Sequence, residues 1–502
     1  MRFFLKVIIV FFLLSVSFMY GLYKGTVNNN YIHNKKRLLM NTKTIATKFL
    51  KRFDYNIDKI NIVFSNKNSK SLESQIEKAT ENNIINKDST SWLKAKIHVN
   101  NRISSGKVKI KGMFLDDFER KEQHFSYSVK QKNPFYELSQ FYIHYPEKRL
   151  KLYEWYGDKL LQKTNLIYHI NYFANLSINN EKQGLHLIEE KSNKNLLKNN
   201  NRELGPIVYF SKKQLRDHNY DYIESYNNAK IKAQYFHNKN LRAFELLEGY
   251  RSGLLNPEQV FNFEKTATLF ALSELVGYVH HLQFHNIKFY YNLNEDRLEP
   301  IANDFQFDFL NKWTKETLFL AGFKKNNNYI ILPWAENLYQ DQKFITLVIK
   351  KLKNLSNADF IESFLKNINI EEEKAKTLIS IFDPLYLPDV EEKITTNSQQ
   401  INYILNLPHE LEAVLLRNEN KLIYKSMSYL PITPVSFYND SMLLYKFEEN
   451  TLLNSNNFGE IPQRDTIELK NINLGNIKNE LILKYKKIGD TIYQYHQIHI
   501  ID

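Results

Sequence analysis

The residues best suited to chemistry lie within the stretch HHLQFHNIKFYYNLNEDRLEPIANDFQFD, His280–Asp308. Three histidines, His280, His281 and His285, precede Asn286, and Asp304 and Asp308 close the stretch. A neutral imidazole can act as a general base. A carboxylate and an amide oxygen together suit a hard cation such as Mg²⁺ or Mn²⁺. The intervening chain must bring them together. Lys288–Tyr291 and Leu298–Ala302 flank the turn-forming Asn292–Asp296, which predicts a β-hairpin. With the turn centred on Glu295, Asn286 and Asp304 become cross-strand partners, their Cβ atoms roughly 5 Å apart. They are the expected metal ligands. An apolar helix expected over Glu264–Tyr278 delivers His280 to the same end of the hairpin. His281 and His285 have the spacing of zinc ligands on a helix, but no HExxH accompanies them.

Composition narrows the classes. The chain has 502 residues, enough for two or three domains, with 43% hydrophobic and 25% charged residues. With Gly 14, phosphate-cradling glycine loops are scarce, and neither GxGxxG nor GxxxxGK[ST] is found. Cys 0 excludes disulfides, thiolate zinc sites and thiol nucleophiles. The net charge of +13 is spread as mixed Lys/Asn segments, where nucleic-acid binding would want a concentrated stripe. No nucleic-acid partner is expected; attraction to anionic glycans, phosphates or lipid is the secondary expectation.

Arg2 and Lys6 precede an apolar run, Val7–Tyr23, at the short edge of a membrane span. Ser17–Gly21 is too bulky for a clean cleavage site, so an uncleaved anchor is favoured over a signal peptide. Positive charges on the amino-terminal side put the body outside the cytoplasm, periplasmic or at the cell surface.

The supporting elements are mixed. Residues 1–24 are the anchor or signal, and 25–95 a small α/β lead-in. The latter has helices expected over Thr42–Phe53 and Ser69–Thr80 and a strand over Ile60–Phe64. The core runs over 96–330. It begins with strands Lys94–Val99, Lys107–Met113 and His124–Lys130 and an amphipathic helix, Arg149–Leu161. A hairpin of Tyr172–Ile178 and Gly184–Ile188 follows, then a strand over Pro206–Phe210. Asp217–Asn240 reads as a long polar excursion. Residues 331–410 form a helical extension, with helices over Phe344–Leu355, Ala358–Asn367, Ile370–Phe382 and Val390–Leu405. Residues 411–502 form a β-rich domain. The fold class is α+β. Glu190 ends an apolar strand, where a buried charge requires a partner.

Taken in order, several pieces resemble the CotH kinase-like family. They are Lys111-Gly112 and Phe125–Lys130; Phe141, Pro146, Arg149 and Glu154-Trp155; and Asn179-Asn180 with Gly184–Glu190. Gly205-Pro206-Ile207 follows, then His280, Asn286, Phe289-Tyr290, Leu298–Ile301 and Asp304. The resemblance implies an atypical protein-kinase-like fold with an ATP site. It makes Asp304 the metal and catalytic aspartate and Asn286 the second ligand. Glu190 then fixes a phosphate-binding base or the metal. Phosphoryl transfer of this kind rests on positioning and charge neutralisation. The sequence departs from the family at two places. His280 stands where the catalytic aspartate is typical, and Ser128 replaces a strand arginine, leaving Lys130 and Lys132 as candidates for the phosphates. The resemblance therefore implies a divergent branch. Its members would either transfer phosphate to a protein or an anionic envelope polymer, or act as a degenerate scaffold in exopolysaccharide or cell-surface assembly.

Overall fold

A computed structural model describes residues 57–501, apart from 82–89, 112–124, 236–240, 308–331, 383–387, 407–410, 427–431, 452–463, 470–479 and breaks of one to three residues. The run Val7–Tyr23, the helix expected over Thr42–Phe53, and Asp308 lie outside the described residues. No helix among the described residues is long and apolar enough to cross a membrane. Helices and strands are both abundant, as the α+β expectation requires. The chain divides into two compact units.

The first unit gathers the described residues up to Lys159, with His169–Asn199 and Leu365–Asp389. Its centre is a closed barrel of β1 (Asp58–Phe64), β2 (Leu93–Val99), β3 (Arg102–Lys111), β4 (Ser126–Phe135), β5 (Leu138–His144), β6 (Asn171–Ile178) and β7 (Glu181–Glu190). The order is β1-β2-β3-β4-β5-β7-β6, and β6 closes onto β1 in parallel. Alternation decides what fills it. Ile60, Ile62, Ile97, Val108, Val129, Phe141 and Ile188 point inward. Burying an Ile, Val or Phe contributes about 1.5–3 kcal/mol. Two-residue turns set the register: Val99 pairs with Arg102 and Ile178 with Glu181. Asn100 (φ 53°), Asn179 (φ 50°) and Asn180 (φ 70°) supply the left-handed backbone such turns demand. At Gly106 a Cβ would lie 2.4 Å from both Ile97 Cδ1 and the Lys130 carbonyl, so the β2–β3–β4 approach needs glycine. Within the expected lead-in, Asp58–Phe64 is thus a stave of the barrel, since β1 pairs with both β2 and β6.

In the second unit, β8 (Ile207–Ser211), β11 (Lys230–Tyr235), β12 (Lys288–Asn292) and β13 (Arg297–Ile301) form a sheet in the order β11-β8-β12-β13. β9 (Gln214–Asp217) and β10 (Tyr220–Ile223) pair separately. The excursion expected over Asp217–Asn240 therefore contains two strands, one of them in the central sheet. The helix Phe263–Val276 is buried on nearly every face, starts at an Asn262 cap and ends at Gly277 (φ 71°). The helices expected over Ala358–Asn367 and Ile370–Phe382 are one, Ala358–Phe382, because no Pro or Gly interrupts them. At the carboxy-terminal end, β14 (Leu411–Leu416), β15 (Lys421–Ser426), β16 (Ile432–Asn439), β17 (Met442–Lys446), β18 (Asp465–Glu468), β19 (Glu480–Lys487) and β20 (Gln494–Ile501) form a seven-stranded sheet. Leu415, Phe437, Leu483 and Ile498 lie in its core.

Candidate functional site

In the second unit the hairpin forms, but its register differs from the expected one. Asn292 pairs with Arg297 and Lys288 with Ile301. The loop is the four residues Leu293–Asp296, with Asp296 at φ 50°. An even loop moves the pairing by one residue, so Asn286 lies opposite Asn303 and not Asp304. The Asn303 amide nitrogen donates to the Asn286 carbonyl at 2.6 Å, and Lys288 Nζ donates to Asn303 Oδ1 at 3.0 Å. Asn286 also folds back on its own turn. Its side-chain nitrogen donates to the His280 carbonyl at 2.9 Å.

Asp304 is the next residue along, half-buried, at φ 58°. Left-handed backbone is uncommon for non-glycine residues, and such strain clusters at functional positions. His280 opens a 3-10 turn, His280–Leu282, so His281 and His285 do not share an α-helical face. The His281 ring is fully buried; its Nε2 lies 2.7 Å from Ser273 Oγ, whose own proton goes to the Leu269 carbonyl. Nε2 therefore carries the hydrogen, and Nδ1 has no hydrogen-bond partner among the described residues. Burial, reinforced by His280 and opposed by Asp304, lowers the His281 pKa to about 3. This is a packed neutral histidine close enough to Asp304 to feel its charge. Glu299 of the Leu298–Ile301 run is buried and satisfied by Arg202 Nε (2.9 Å) and Asn292 Nδ2 (2.9 Å). Gly205 is required because a Cβ there would meet the Tyr291 carbonyl at 2.5 Å.

The first unit holds a second, more deeply buried cluster on the outer side of the barrel wall. The opening turns of the helix Tyr153–Lys163 contribute Glu154 and Asp158, four residues apart and both buried. Strand β7 contributes Glu189, and β5 contributes His144. Arg149, just before the helix, reaches Glu189 Oε2 at 2.7 Å and Glu154 Oε2 at 3.3 Å. His144 Nε2 lies 2.9 Å from Glu189 Oε2 and 3.2 Å from Arg149 Nη2, while Ser126 Oγ lies 3.0 Å from Nδ1. Lys111 Nζ lies 3.3 Å from the same Nε2.

Charges in this cluster sort themselves. Burial lowers the His144 pKa to about 3, helped by Lys111 and Arg149, so the ring is neutral. Burial pushes Glu189 upward, but Arg149 and Lys111 outweigh it and hold the carboxylate well below its usual range. Burial raises Asp158 well above its usual value, and it accepts from the His169 amide (3.2 Å) and Asn171 Nδ2 (2.5 Å). Three buried acids, Glu154, Asp158 and Glu189, thus sit with two cations, Lys111 and Arg149, and Arg149 is shared between Glu154 and Glu189.

The sequence-predicted residues fall into three places. Asn286, His280 and Asp304 are gathered at the hairpin end. Glu190 points inward and ties the end of β7 down, accepting from the Ile170 amide (3.2 Å) and Asn199 Nδ2 (2.7 Å). Its neighbour Glu189 is the one in the charged cluster. Lys130 and Lys132 are exposed on β4, with Lys130 Nζ 4.5 Å from the Trp92 ring centroid. Lys111 is the strand lysine that enters the cluster. Sequence reading passes over His144 and Asp158, and it meets Glu154 and Glu189 only as parts of the resemblance, with no site role. The i,i+4 acid pair on the Arg149–Leu161 helix is the signal that finds two of them.

A family model described as CotH kinase protein matches residues 108–380, more than half of the chain. The chain belongs to the CotH kinase protein family. No curated protein matches it.

Proposed function

We propose that the chain is a metal-dependent phosphotransferase of the atypical kinase type, with ATP as donor and a protein or anionic envelope polymer as acceptor. The observation that carries this reading is Asp304, a carboxylate held at φ 58° immediately beyond a hairpin in the matched segment. One carboxylate and one amide oxygen, Asp304 and Asn286, fit Mg²⁺ or Mn²⁺ that keeps several waters, as these ions prefer. The ion, when bound, neutralises phosphate charge. His280 takes the acceptor proton, and a neutral imidazole is suited to that task.

Calorimetric titration of the full-length chain with Mn²⁺ and Mg²⁺, with and without ATP, tests this reading. Wild type should bind, and Asp304→Asn should bind at least tenfold more weakly. Equal binding by the two proteins, or none by wild type, would overturn it.

A second reading, a degenerate kinase-like scaffold of the cell envelope, is favoured by His280 standing where the resemblance puts an aspartate. His280→Asp separates the two: it should raise phosphoryl transfer in a kinase and leave a scaffold inert. We also infer a membrane-anchored, extracytoplasmic body from Arg2 and Lys6 ahead of Val7–Tyr23. A reporter fused after Asp502 should be active only outside the cytoplasm, and cytoplasmic activity would reject this topology.

A further inference from the structure

Strands β2 to β5 carry seven lysines and Arg102, and no aspartate or glutamate. Strand register lines several of them up. Lys94 is opposite Lys107, Lys107 is opposite Lys130, and Lys130 is opposite Gln140. The row continues onto the residue after β7, where the Lys191 amide donates to the Gln140 carbonyl at 3.2 Å. All point outward, because their neighbours Leu93, Val108, Val129 and Phe141 fill the barrel. Lys94, Lys107 and Lys130 are exposed. Strands lie about 4.8 Å apart, so the Lys94 and Lys130 backbones are roughly 10 Å apart.

Like charges directly opposite one another destabilise a sheet. These strands offer no acid to offset them, and the nearby Glu189 is engaged by Arg149 and His144. Burial, and then the Lys130 charge, disfavour the Lys191 ammonium.

We propose that this lysine row is a docking face for a linear acidic polysaccharide bearing carboxylates along its length. The inference stands apart from the phosphoryl-transfer reading. The choice of occupant follows from what the face lacks. β2 to β5 are staves of a closed barrel, so a peptide finds no open edge to extend. Seven ammonium groups against one guanidinium give point charges and not bidentate forks. The neighbouring rings are already covered. Lys130 lies over Trp92, and Lys111 and Lys191 lie 3.6 and 5.7 Å from the Tyr142 centroid. Among the described residues, Trp92 and Tyr142 therefore offer the bases of a single-stranded nucleic acid no open stacking platform. Charge density along a hydroxylated chain is what remains to be recognised.

The test titrates the full-length chain with polygalacturonate at several salt concentrations. It is run beside the triple variant Lys94→Gln/Lys107→Gln/Lys130→Gln. A second triple, Lys350→Gln/Lys366→Gln/Lys374→Gln, removes the same charge elsewhere. Wild type and the second triple should bind alike. The face variant should bind at least tenfold more weakly, with a salt slope shallower by about 2–3. Circular dichroism should match wild type; if the face triple misfolds, Lys107→Gln alone carries the comparison and should still weaken binding. The proposal is overturned by equal losses in the two triples, by undiminished binding in the face variant, or by no binding in wild type. Tighter binding to polyglutamate, oligo-dT or phosphatidylglycerol vesicles than to polygalacturonate would also overturn it.

Discussion

Arg149 Nη2 lies 2.7 Å from Glu189 Oε2, and little of either side chain meets solvent. A buried charge stripped of its partner is costly. Glu189→Gln should therefore destabilise the chain by about 3–5 kcal/mol, read from urea unfolding. Adding Arg149→Met should return part of that loss, because the stranded cation goes with it.

Acid should weaken the same cluster in two stages. The folded-state pKa of His144 is depressed from 6.5 to about 3, so its contribution is present above pH 6.5 and is lost as pH falls toward 3. Glu189 is depressed below 4.5, so its contribution is lost at lower pH still. His144→Gln should remove the upper stage and keep the lower one. Unfolding free energies measured from pH 8 to pH 4 would show this as a flatter profile.

Asp158 has the opposite sign. Its folded pKa is raised above 3.8, so its contribution is full below that value and is lost as pH rises through the raised value. Asp158→Asn keeps an oxygen for the His169 amide and cannot ionise. Thermal melts should show it matching or exceeding wild type at pH 8 while losing this alkaline decline. Asp158→Ala, which leaves the His169 and Asn171 donors unmet, should instead lose about 1–3 kcal/mol.

Asp304 should trade stability against binding. A non-glycine residue in left-handed backbone costs roughly 1–2 kcal/mol. Asp304→Gly should accordingly raise stability by up to about 1 kcal/mol, while the heat of Mn²⁺ binding disappears. A destabilised Asp304→Gly in urea titrations would mean that the carboxylate holds the local fold together.

Much of this architecture can be read from the sequence where periodicity is strong. The helices expected over Ser69–Thr80, Glu264–Tyr278 and Val390–Leu405 form as Asn66–Glu81, Phe263–Val276 and Val390–Leu405, and the Tyr172–Ile188 hairpin turns at its asparagines. The rest depends on single-residue choices that local pattern does not fix. A loop of four residues in place of five exchanges Asp304 for Asn303 opposite Asn286. In the Glu189-Glu190 doublet, parity alone decides which carboxylate faces the core and which meets Arg149. The polar Lys230–Tyr235 becomes a strand because β8 offers it a partner. The lysine row is illegible in a net charge of +13 because its members come from separate strands, and only their register makes them neighbours.

The first unit is finished by its latest-made piece. Tyr156 and Lys159 bond Glu372 and Glu371, and Tyr153 bonds Asp389, all from the Leu365–Asp389 segment. The same helix supplies Glu154 and Asp158 to the charged cluster. On the ribosome, the barrel can close once β7, which ends at Glu190, has emerged to join β5 to β6. The clasp on that helix must wait for roughly two hundred more residues, some 10–40 s at ordinary synthesis rates. A nascent chain would pass that interval with its barrel available and its charged cluster unclasped, so assembly of the cluster is timed by translation of the segment that follows.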